Sequence, residues 1–530
     1  MAEQQRVNDI DEISRLSTER AETERQQYAL EPRSDPSKEL GDGASPSTGP
    51  SFSSKEILDA LARNEDGDAA LLIRLHQGRL VYDHAAAEWY TWAGHHWKLD
   101  KTEQALAGVS DIADIYVSEM GRQAWVRAGA EKAGQTKTAD MAKSFETLLA
   151  RRVRDLRTIR RKHAVLHLAR AGSNTLGITG EEWDRDPWLL GVTNGVINLQ
   201  TGQFRPGTPE DFIKTAAPTK WEGLDAPAPT WERLLSDIFG DTRDLISFMQ
   251  RLLGYGITGR SDHHIFIILH GKGRNGKGTL LETIRAVLGE YAMKTESELL
   301  LQQKLARNAS APNSAILSLQ GRRIVWASET SDGERLSAGR LKELVGGDTL
   351  SGRPVFGKHH IQFTPSHLLF LITNSKPKAP AGDYALWQRV HLVPFQYAFV
   401  DNPTASNERK ADIYLGDKLK AEASGVLSWL VRGCLIWQRE GLNPPDIVRA
   451  ATEDYRKDED ILGHFIDERC VLGDSFTVRA QIFYEEYRTW ASENGLGEFS
   501  GVRFGKDMKE RFHPDSDNKG NFYIGVGVKG

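Results

Sequence analysis

Cysteine, long apolar runs and an excess of positive charge are all scarce in this sequence. Its 530 residues include two cysteines, Cys434 and Cys470, too few for a disulfide framework or a four-ligand zinc site. No apolar run approaches membrane-spanning length, and the N-terminus lacks a basic-then-apolar export signal. We therefore predict a soluble protein of the reducing cytoplasm, with no membrane partner.

Positive and negative side chains nearly balance. The chain has 68 Lys and Arg against 73 Asp and Glu, which gives a formal net charge of −5. A protein that coats nucleic acid with its whole surface is normally basic. Any contact with nucleic acid is therefore expected to come from local patches.

Composition and hydrophobic periodicity divide the chain into five regions. Residues 1–52 are rich in Glu, Gln, Arg and Ser, which predicts a disordered leader. Its Asp9 and Asp11 have no preceding apolar strand, so we interpret them as a solvated charged segment and not as the acid pair of a polymerase or primase. The other regions are predicted as an N-terminal α+β domain, an α/β core, a helical segment and a winged-helix-like domain, at residues 53–224, 225–400, 401–460 and 461–530. In the last region we expect the order helix, short strand, helix, helix and strand pair.

Two features of the α+β region bear on function. Trp89, Trp92 and Trp97 lie in a pattern of short strands, where a small aromatic core is favoured over stacking on nucleic-acid bases. The stretch "MAKSFETLLARRVRDLRTIRRKHAVLHLARA" is amphipathic and predicts helix with a basic face.

The α/β core is predicted from three apolar strands, "HIFIILH", "RRIVWAS" and "HLLFLIT". Helical pattern separates them, which indicates a mostly parallel sheet covered on both faces. Directly after the first strand comes "HGKGRNGKGTLLETI", in which Gly271, Gly276 and Lys277 satisfy the spacing of a phosphate-binding loop. The glycines let backbone N–H groups turn toward phosphate oxygens, and Lys277 is expected to bridge the β- and γ-phosphates.

One position of this loop departs from the usual pattern. Gly278 stands where a Ser or Thr normally supplies a hydroxyl to Mg²⁺, and the hydroxyl comes one residue later, at Thr279. Thr279 lies in the same first helical turn and is the candidate Mg²⁺ ligand, directly or through water. The departure weakens the argument for the metal but not the argument for phosphate.

Three further polar residues follow in an order that suits ATP hydrolysis. Glu329 comes just after the strand "RRIVWAS", where a carboxylate can orient the attacking water. Asn374 ends the strand "HLLFLIT" and can sense the γ-phosphate. Arg389, in "DYALWQRVHLVPF", is a candidate arginine finger.

The ordered set of motifs resembles the superfamily 3 helicases, and most closely the helicase part of phage and plasmid primase-helicases and their poxvirus-type relatives. The matching stretches are "GKGRNGKGT", "GRRIVWASE", "LKELVGGDTLSGR", "LLFLITN" and "ALWQRVHLVPF", and "DPWLLGVTNGVINLQTG" is similar to the domain before the helicase. Ser328 before the acid and Gln388 before the arginine depart from the family pattern.

The resemblance implies an AAA+-like P-loop core that works as a homohexameric ring, with ATP at subunit interfaces and single-stranded DNA in the channel. It assigns Glu329 as the Walker B acid, Asn374 as sensor 1 and Arg389 as the finger given to the neighbouring subunit. The predicted nucleotide contacts are Gly271, Gly273, Asn275, Gly276, Lys277, Gly278 and Thr279.

The resemblance also points to a DNA-binding hairpin before the asparagine strand. "RPVFGKHHIQF" has apolar residues flanking a Gly-Lys turn, with Lys358 and His359 at the predicted tip. Alone such a turn is merely solvated, but in superfamily 3 helicases the hairpin at this place projects into the channel. In the C-terminal region, Arg503, Lys506, Lys509 and Arg511 lie on one predicted helix, which either contacts DNA phosphate or is a solvated surface.

The expected function is an ATP-dependent replicative DNA helicase acting on single-stranded and forked DNA in a bacterial cell that hosts a phage, plasmid or integrated element. Upstream of residue 225 no paired aspartates or zinc-binding cysteines stand on a credible strand, so we expect no primer synthesis and a separate primase or other replication proteins. Two alternatives stay open: an assembly or packaging ATPase that grips DNA without unwinding it, and a small-molecule kinase with a "GKGT" loop.

Overall fold

The structure is a computed structural model that describes residues 50–302, 313–328, 333–353 and 360–529. The predicted leader, apart from its last residues, lies outside this part of the chain. A compact unit runs from Ser54 to Gly530, and all that follows concerns its described residues. None of the helices seen in them is long and apolar enough to cross a membrane.

The amino-terminal part of the unit combines long helices with a small sheet. Its helices are α1 (Ser54–Ala62), α2 (Asn64–His76), α3 (Gln104–Gly108), α4 (Ser110–Lys132), α5 (Thr136–Leu156) and α6 (Ile159–Ala169). Strands β1 (Leu80–Asp83), β2 (Glu88–Trp92), β3 (Trp97–Leu99) and β4 (Gly177–Ile178) form a sheet in the order β3-β2-β1-β4. The short connection between α4 and α5 makes these two helices an antiparallel hairpin.

The aromatic residues of this sheet form a small core, as the sequence predicts. Trp97 is buried, its ring lies 5.4 Å from that of Trp92 and 6.4 Å from that of Trp183, and its Nε1 donates to the Pro209 carbonyl. Because these rings face one another, they do not form an exposed platform for base stacking.

A second, antiparallel sheet connects this part to the centre of the protein. It consists of β5 (Leu189–Val192), β6 (Gly195–Asn198) and β7 (Gln203–Arg205). A short 3-10 helix (Pro209–Asp211) and the helices α7 (Pro229–Phe239) and α8 (Arg243–Gly256) follow in the chain. Gly202, with a φ of +73°, supplies the left-handed residue in the Thr-Gly turn between β6 and β7. Leu190 and Ile197 are buried in the same hydrophobic cluster as Trp231 and Phe370 of the central region.

The central region is built on a five-stranded sheet in which each neighbouring pair is parallel. Its spatial order is β14-β8-β13-β10-β9. In chain order the elements are β8 (Phe266–His270), α9 (Lys277–Leu288), two 3-10 helices (Gly289–Tyr291 and Ser297–Leu299) on either side of β9 (Ala292–Thr295), α10 (Ser314–Leu317), β10 (Ile324–Ser328), α11 (Ala338–Val345), β11 (Leu350–Gly352), β12 (Ile361–Phe363), β13 (Leu368–Thr373), α12 (Tyr384–Trp387) and β14 (Val390–Pro394).

Both faces of this sheet are covered by apolar side chains. The parallel strands and the two covered faces confirm the predicted arrangement. Ile267 and Phe370 belong to one hydrophobic cluster, whereas Ile268 and Leu369 belong to another. Alternate residues of one strand point to opposite faces, so strands buried on both sides read as continuous apolar runs.

Helices and a small carboxyl-terminal unit complete the chain. After the paired strands β15 (Ala398–Val400) and β16 (Glu408–Lys410) come α13 (Leu415–Ala421), α14 (Ala423–Glu440) and α15 (Asp446–Asp458). The remaining elements are α16 (Ile461–Arg469), β17 (Cys470–Arg479), α17 (Ala480–Glu493), α18 (Gly501–Arg511), β18 (His513–Asp517) and β19 (Gly520–Val528). These last elements follow the predicted order of helix, strand, two helices and a strand pair, and they enclose their own aromatic core.

Candidate functional site

The glycine-rich loop joins β8 to α9 at the carboxyl edge of the parallel sheet. In the register of the sheet, Thr373 of β13 and Pro394 of β14 both lie beside His270, the last residue of β8. The ends of three strands therefore surround the loop. In open α/β sheets this edge is where ligands bind.

Glycine is required at two positions of the loop for steric reasons. Gly276 has a φ of +81°, and a Cβ placed on it would lie 2.8 Å from Ile238 Cδ1. A Cβ on Gly271 would collide with the Asn275 amide and the Phe395 carbonyl. Gly273, with a φ of +100°, adopts a backbone conformation that few other residues tolerate, although the space around it is open. The loop is thus closely packed at its two ends.

Lys277 is buried at the base of the loop, and its ammonium group bonds to three oxygens. Nζ donates to the Gly271 carbonyl at 2.7 Å, to Asn275 Oδ1 at 2.9 Å and to Asn374 Oδ1 at 3.1 Å. Burial lowers the pKa of Lys277 to about 8. A phosphate entering the loop would meet a positive charge that is already oriented and poorly hydrated.

Asn374 directly follows β13, and its side chain reaches the loop. Its amide oxygen accepts the bond from Lys277, although the side chain is exposed as a whole. Asn275 holds the other side of the loop, because its Nδ2 donates to the Phe395 carbonyl at 3.4 Å. The loop, β13 and the end of β14 are therefore connected through side-chain amides.

Gly278 and Thr279 lie in the first turn of α9. A Cβ on Gly278 would meet no atom within 4 Å, so a Ser or Thr at this position would find open space. Thr279 is half-buried, and its carbonyl accepts from Thr283 Oγ1 at 2.8 Å, as expected for a residue inside the helix. The glycine at 278 is not demanded by packing within the part of the chain that the structure describes.

The strand expected to carry the catalytic acid lies two positions from β8 in the sheet. Ser328, its last residue, pairs with Ile372 of β13, and the Ser328 hydroxyl is buried without a hydrogen-bond partner among the described residues. Glu329 lies outside the described residues. Its assignment stays a prediction from sequence.

Arg389 lies at the amino-terminal ends of the parallel strands, whereas the loop lies at their carboxyl-terminal ends. It precedes Val390, which pairs with Phe266 at the start of β8, whereas the loop begins after His270 at the end of that strand. Five residues of strand at about 3.3 Å each separate the two levels. Arg389 Nη1 donates to the Ala385 carbonyl at 2.6 Å, and its Nε is buried without a partner within the described chain. Arg389 is therefore not part of the loop of its own chain.

The predicted DNA-binding hairpin is described only at its base. Leu350 pairs with Phe363 and Gly352 with Ile361, so β11 and β12 are antiparallel neighbours. Lys358 and His359 lie outside the described residues, and their role stays a prediction.

Sequence reasoning missed the segment after β14 that holds the loop in place. Phe395 N donates to the His270 carbonyl at 2.7 Å, and Phe399 N donates to the Arg274 carbonyl at 2.6 Å. The apolar run "VHLVPF" signals a strand, but nothing local in it indicates that this strand lies beside β8.

In the basic helix of the carboxyl-terminal unit, only some of the positive side chains lack an ion pair with another described residue. In α18, Arg503 Nε lies 3.7 Å from Asp507 and its guanidinium stacks on Phe499, whereas Arg511 bonds Asp460. Lys506 and Lys509 are exposed and form no ion pair within the described residues. Of the four predicted phosphate contacts, these two lysines are the better candidates.

Taken together, the fold and site define a mixed α/β protein with a lysine-bearing glycine-rich loop at the carboxyl edge of a parallel sheet. Part of the chain also matches a known family model. The model of a family described as D5 N terminal like matches residues 69–240.

Curated viral proteins match a larger part of the chain. "Putative helicase L207/L206" of Acanthamoeba polyphaga mimivirus is 27% identical over 329 residues, which cover 59% of this chain and 34% of that protein. "Putative helicase 022R" of Frog virus 3 is 24% identical, covering 59% and 40%. "Putative primase C962R" of African swine fever virus is 26% identical, covering 54% and 31%.

These matches support a relationship with the D5-like helicase-primase family. The chain spans between 31% and 40% of the length of the three relatives. Among solved structures, the apo C-terminal region of NrS-1 is 13% identical and covers 58% of this chain and 79% of its own, with a TM-score of 0.35. A likeness at that level carries no conclusion about this protein.

Proposed function

We propose that this protein is an ATP-dependent DNA helicase of the superfamily 3 type, with an AAA+-like P-loop core that works as a hexameric ring on single-stranded DNA. The observation that carries the proposal is the contact of Lys277 with Asn374 at the carboxyl edge of a sheet ordered β14-β8-β13-β10-β9. A phosphate-binding lysine and a polar sensor on the neighbouring strand are the parts that respond to a γ-phosphate. The viral relatives named as putative helicases support the same proposal.

The residues of the chain would act on ATP in separate steps. Backbone N–H groups of the loop and the start of α9 would bind the phosphate oxygens, because a helix N-terminus carries partial positive charge. Lys277 would leave the oxygens that it now contacts and pair with phosphate. Glu329 would orient the attacking water. Mg²⁺, when bound, supplies charge neutralisation at the phosphates, and Thr279 is the residue proposed to hold it.

The position of Arg389 supports action between subunits. Because Arg389 lies at the opposite edge of the sheet from its own loop, it would reach a nucleotide only on another copy of the chain. An interface that pairs opposite ends of the sheet joins different surfaces of identical subunits, and such a contact forms a ring when the rotation between subunits closes.

Two further proposals concern DNA. Lys358 and His359 would line the channel, where a lysine binds phosphate as a point charge without reading sequence. The carboxyl-terminal unit, proposed as a winged helix, would contact duplex through Lys506 and Lys509 on α18. The second candidate function, a DNA-gripping packaging or assembly ATPase, uses the same loop and differs only in lacking strand separation.

Strand displacement on forked DNA separates the two functions. The wild-type chain should unwind the fork with ATP and show DNA-stimulated hydrolysis. Lys358→Ala should abolish both unwinding and stimulation while basal hydrolysis and assembly stay intact. Glu329→Gln should bind ATP but hydrolyse it about 10²- to 10⁴-fold more slowly. Hydrolysis stimulated by DNA without any strand displacement would favour the gripping ATPase. Phosphotransfer to small molecules would favour a kinase.

A further inference from the structure

The helical segment α5–α6 contains arginines of two kinds. Arg152 and Arg161 are turned inward, onto the fully buried carboxylate of Asp68. Arg152 Nη1 lies 2.7 Å from Asp68 Oδ1, and Arg161 Nη2 lies 2.7 Å from Asp68 Oδ2. Tyr116 donates a further hydrogen bond to the same carboxylate at 2.8 Å. These two arginines hold the amino-terminal helices together, since breaking a buried pair leaves an uncompensated charge.

The other arginines of the segment are exposed. Arg151, Arg154, Arg157 and Arg160 form no ion pair and no side-chain hydrogen bond within the residues that the structure describes. Some exposed arginines elsewhere pair with carboxylates, as Arg285 does with Glu282 and Arg449 with Asp446. The segment therefore presents guanidinium groups whose charge no neighbouring side chain satisfies.

Helical spacing aligns part of this charge on one outward face. Arg151 and Arg154 are three residues apart on α5, which makes them neighbours on its surface. Lys143, also exposed, extends the row toward the start of α5, about 16 Å from Arg154 at 1.5 Å per residue. Leu149, Val153 and Leu156, on the opposite face, are buried. The basic stripe, defined as Lys143, Arg151, Arg154, Arg157 and Arg160, thus lies on the solvent side.

The favourable interaction of positive charge with a helix C-terminus accounts for only some residues of the stripe. Arg154 and Arg157 stand at the C-terminal end of α5, where positive charge is favourable. Arg160 is different, because it lies in the first turn of α6, where the partial charge of the helix is positive and no acidic residue is present. Its neighbours Arg161 and Lys162 bond to Asp68 and to the Ser110 hydroxyl. Arg160 has no such partner in the described chain.

We propose that the basic stripe binds the sugar-phosphate backbone of double-stranded DNA, outside the motor. Arginine pairs well with phosphate, and the row of cations on one face of α5, followed in the chain by Arg157 and by Arg160 of α6, suits a backbone. The stripe consists of cations, which contact phosphates and do not read bases. Two carboxylates lie in the span of the stripe: Glu146, which pairs with Arg127 of α4, and Asp155, which reduces the positive charge. None of the stripe residues belongs to the glycine-rich loop, so we expect the stripe to bind duplex without nucleotide.

The test measures binding of a fluorescent blunt duplex to the full chain over a series of salt concentrations. The variant is Arg151→Gln/Arg154→Gln. Each lost phosphate contact lowers the slope of log affinity against log salt by about 0.9, so the slope should fall by about 2. We expect a loss of affinity of about tenfold at moderate salt, with unchanged thermal unfolding and basal ATPase. Arg151→Lys/Arg154→Lys should keep most of the slope, because lysine retains the charge.

The control is Arg285→Gln/Arg449→Gln, which removes the same charge from exposed arginines that are already paired. It should leave the slope unchanged. An unchanged slope in the Arg151/Arg154 variant, or an equal loss in the control, overturns the proposal. If the variant loses affinity only for single-stranded DNA, or only for an acidic protein, the proposal that the stripe binds duplex is overturned. Repeating the measurement in a Lys277→Ala background separates this surface from the proposed helicase function, because duplex binding through the stripe should persist when hydrolysis fails.

Discussion

Lys277 Nζ donates a hydrogen bond to Asn374 Oδ1 across 3.1 Å, which joins the glycine-rich loop to the end of the neighbouring strand. The same ammonium also bonds the Gly271 carbonyl and Asn275 Oδ1. A phosphate that binds Lys277 must compete with these oxygens. We therefore expect nucleotide binding to move Asn374 directly, with no intermediate residue.

The contact between Lys277 and Asn374 leads to the first prediction. Asn374→Asp places a carboxylate beside the ammonium, and the resulting ion pair should hold Lys277 away from phosphate and weaken nucleotide binding. Asn374→Ala removes the competing oxygen and should leave binding near wild type while slowing hydrolysis about 10²-fold or more, the cost of losing one positioned catalytic group. Nucleotide titration and single-turnover hydrolysis measure the two effects. Equal nucleotide affinity in the Asp and Ala variants would contradict this account.

The second prediction is a pH dependence of nucleotide binding. Burial lowers the pKa of Lys277 to about 8, and a bound phosphate would raise it again. Binding then takes up a proton, so affinity should be full below about pH 8 and should fall as the pH rises above that value. ADP titrations between about pH 7 and 9 measure this dependence. In Lys277→Arg the guanidinium stays charged throughout, and the pH dependence should flatten even if the overall affinity is lower.

The third prediction contrasts the two glycines on either side of Lys277. Gly276→Ala introduces a Cβ at a φ of +81° and 2.8 Å from Ile238 Cδ1. The left-handed conformation alone costs about 1–2 kcal/mol, so this variant should lose stability and nucleotide affinity. Gly278→Ala meets open space in a helix and should gain about 0.5–1 kcal/mol.

Thermal unfolding and nucleotide titration compare these two variants. Gly278→Ser should also fold normally, and it returns a hydroxyl to the position where most loops of this kind carry one. A large loss of stability in Gly278→Ala would show that the glycine meets an atom outside the described residues.

The fourth prediction concerns Arg389 at the far edge of the sheet. Arg389→Ala should bind nucleotide nearly normally but hydrolyse it poorly, because we propose that Arg389 acts at the site of a neighbouring subunit. Mixing it with Lys277→Ala should restore part of the activity, since some interfaces then join an intact loop to an intact finger. ATPase measured across mixing ratios, with assembly checked by light scattering, gives the result. Complete absence of rescue in mixed assemblies would place the role of Arg389 within its own subunit.

Local pattern was sufficient to predict several parts of the molecule. The strands β8, β10 and β13 are continuous apolar runs, and burial on both faces of a parallel sheet imposes that composition. The glycine-rich loop was also identified from local pattern, because its glycines and Lys277 are close together in sequence, and its binding of phosphate stays a prediction. The predicted order of elements in the carboxyl-terminal unit is also confirmed.

Two strands of the central sheet did not appear in the sequence interpretation. β9 is a four-residue strand with a half-exposed pattern, too short to produce a periodic signal. β14 is apolar, but its neighbour β8 lies more than a hundred residues earlier in the chain. Strand order depends on which crossovers bury the most apolar surface, and hydrophobic periodicity does not record it.

The sequence by itself determined where apolar strands, helices and the phosphate loop begin, because each depends on residues close together in the chain. The tertiary structure alone decided that Asn374 contacts Lys277, and that Arg389 lies at the opposite edge from its own loop. It also decided that Arg152 is buried on Asp68 whereas its neighbour Arg151 is exposed. Hydrogen bonds and ion pairs join groups that the fold brings together over long separations, and the free energy of pairing a charge depends on burial, which no local pattern specifies.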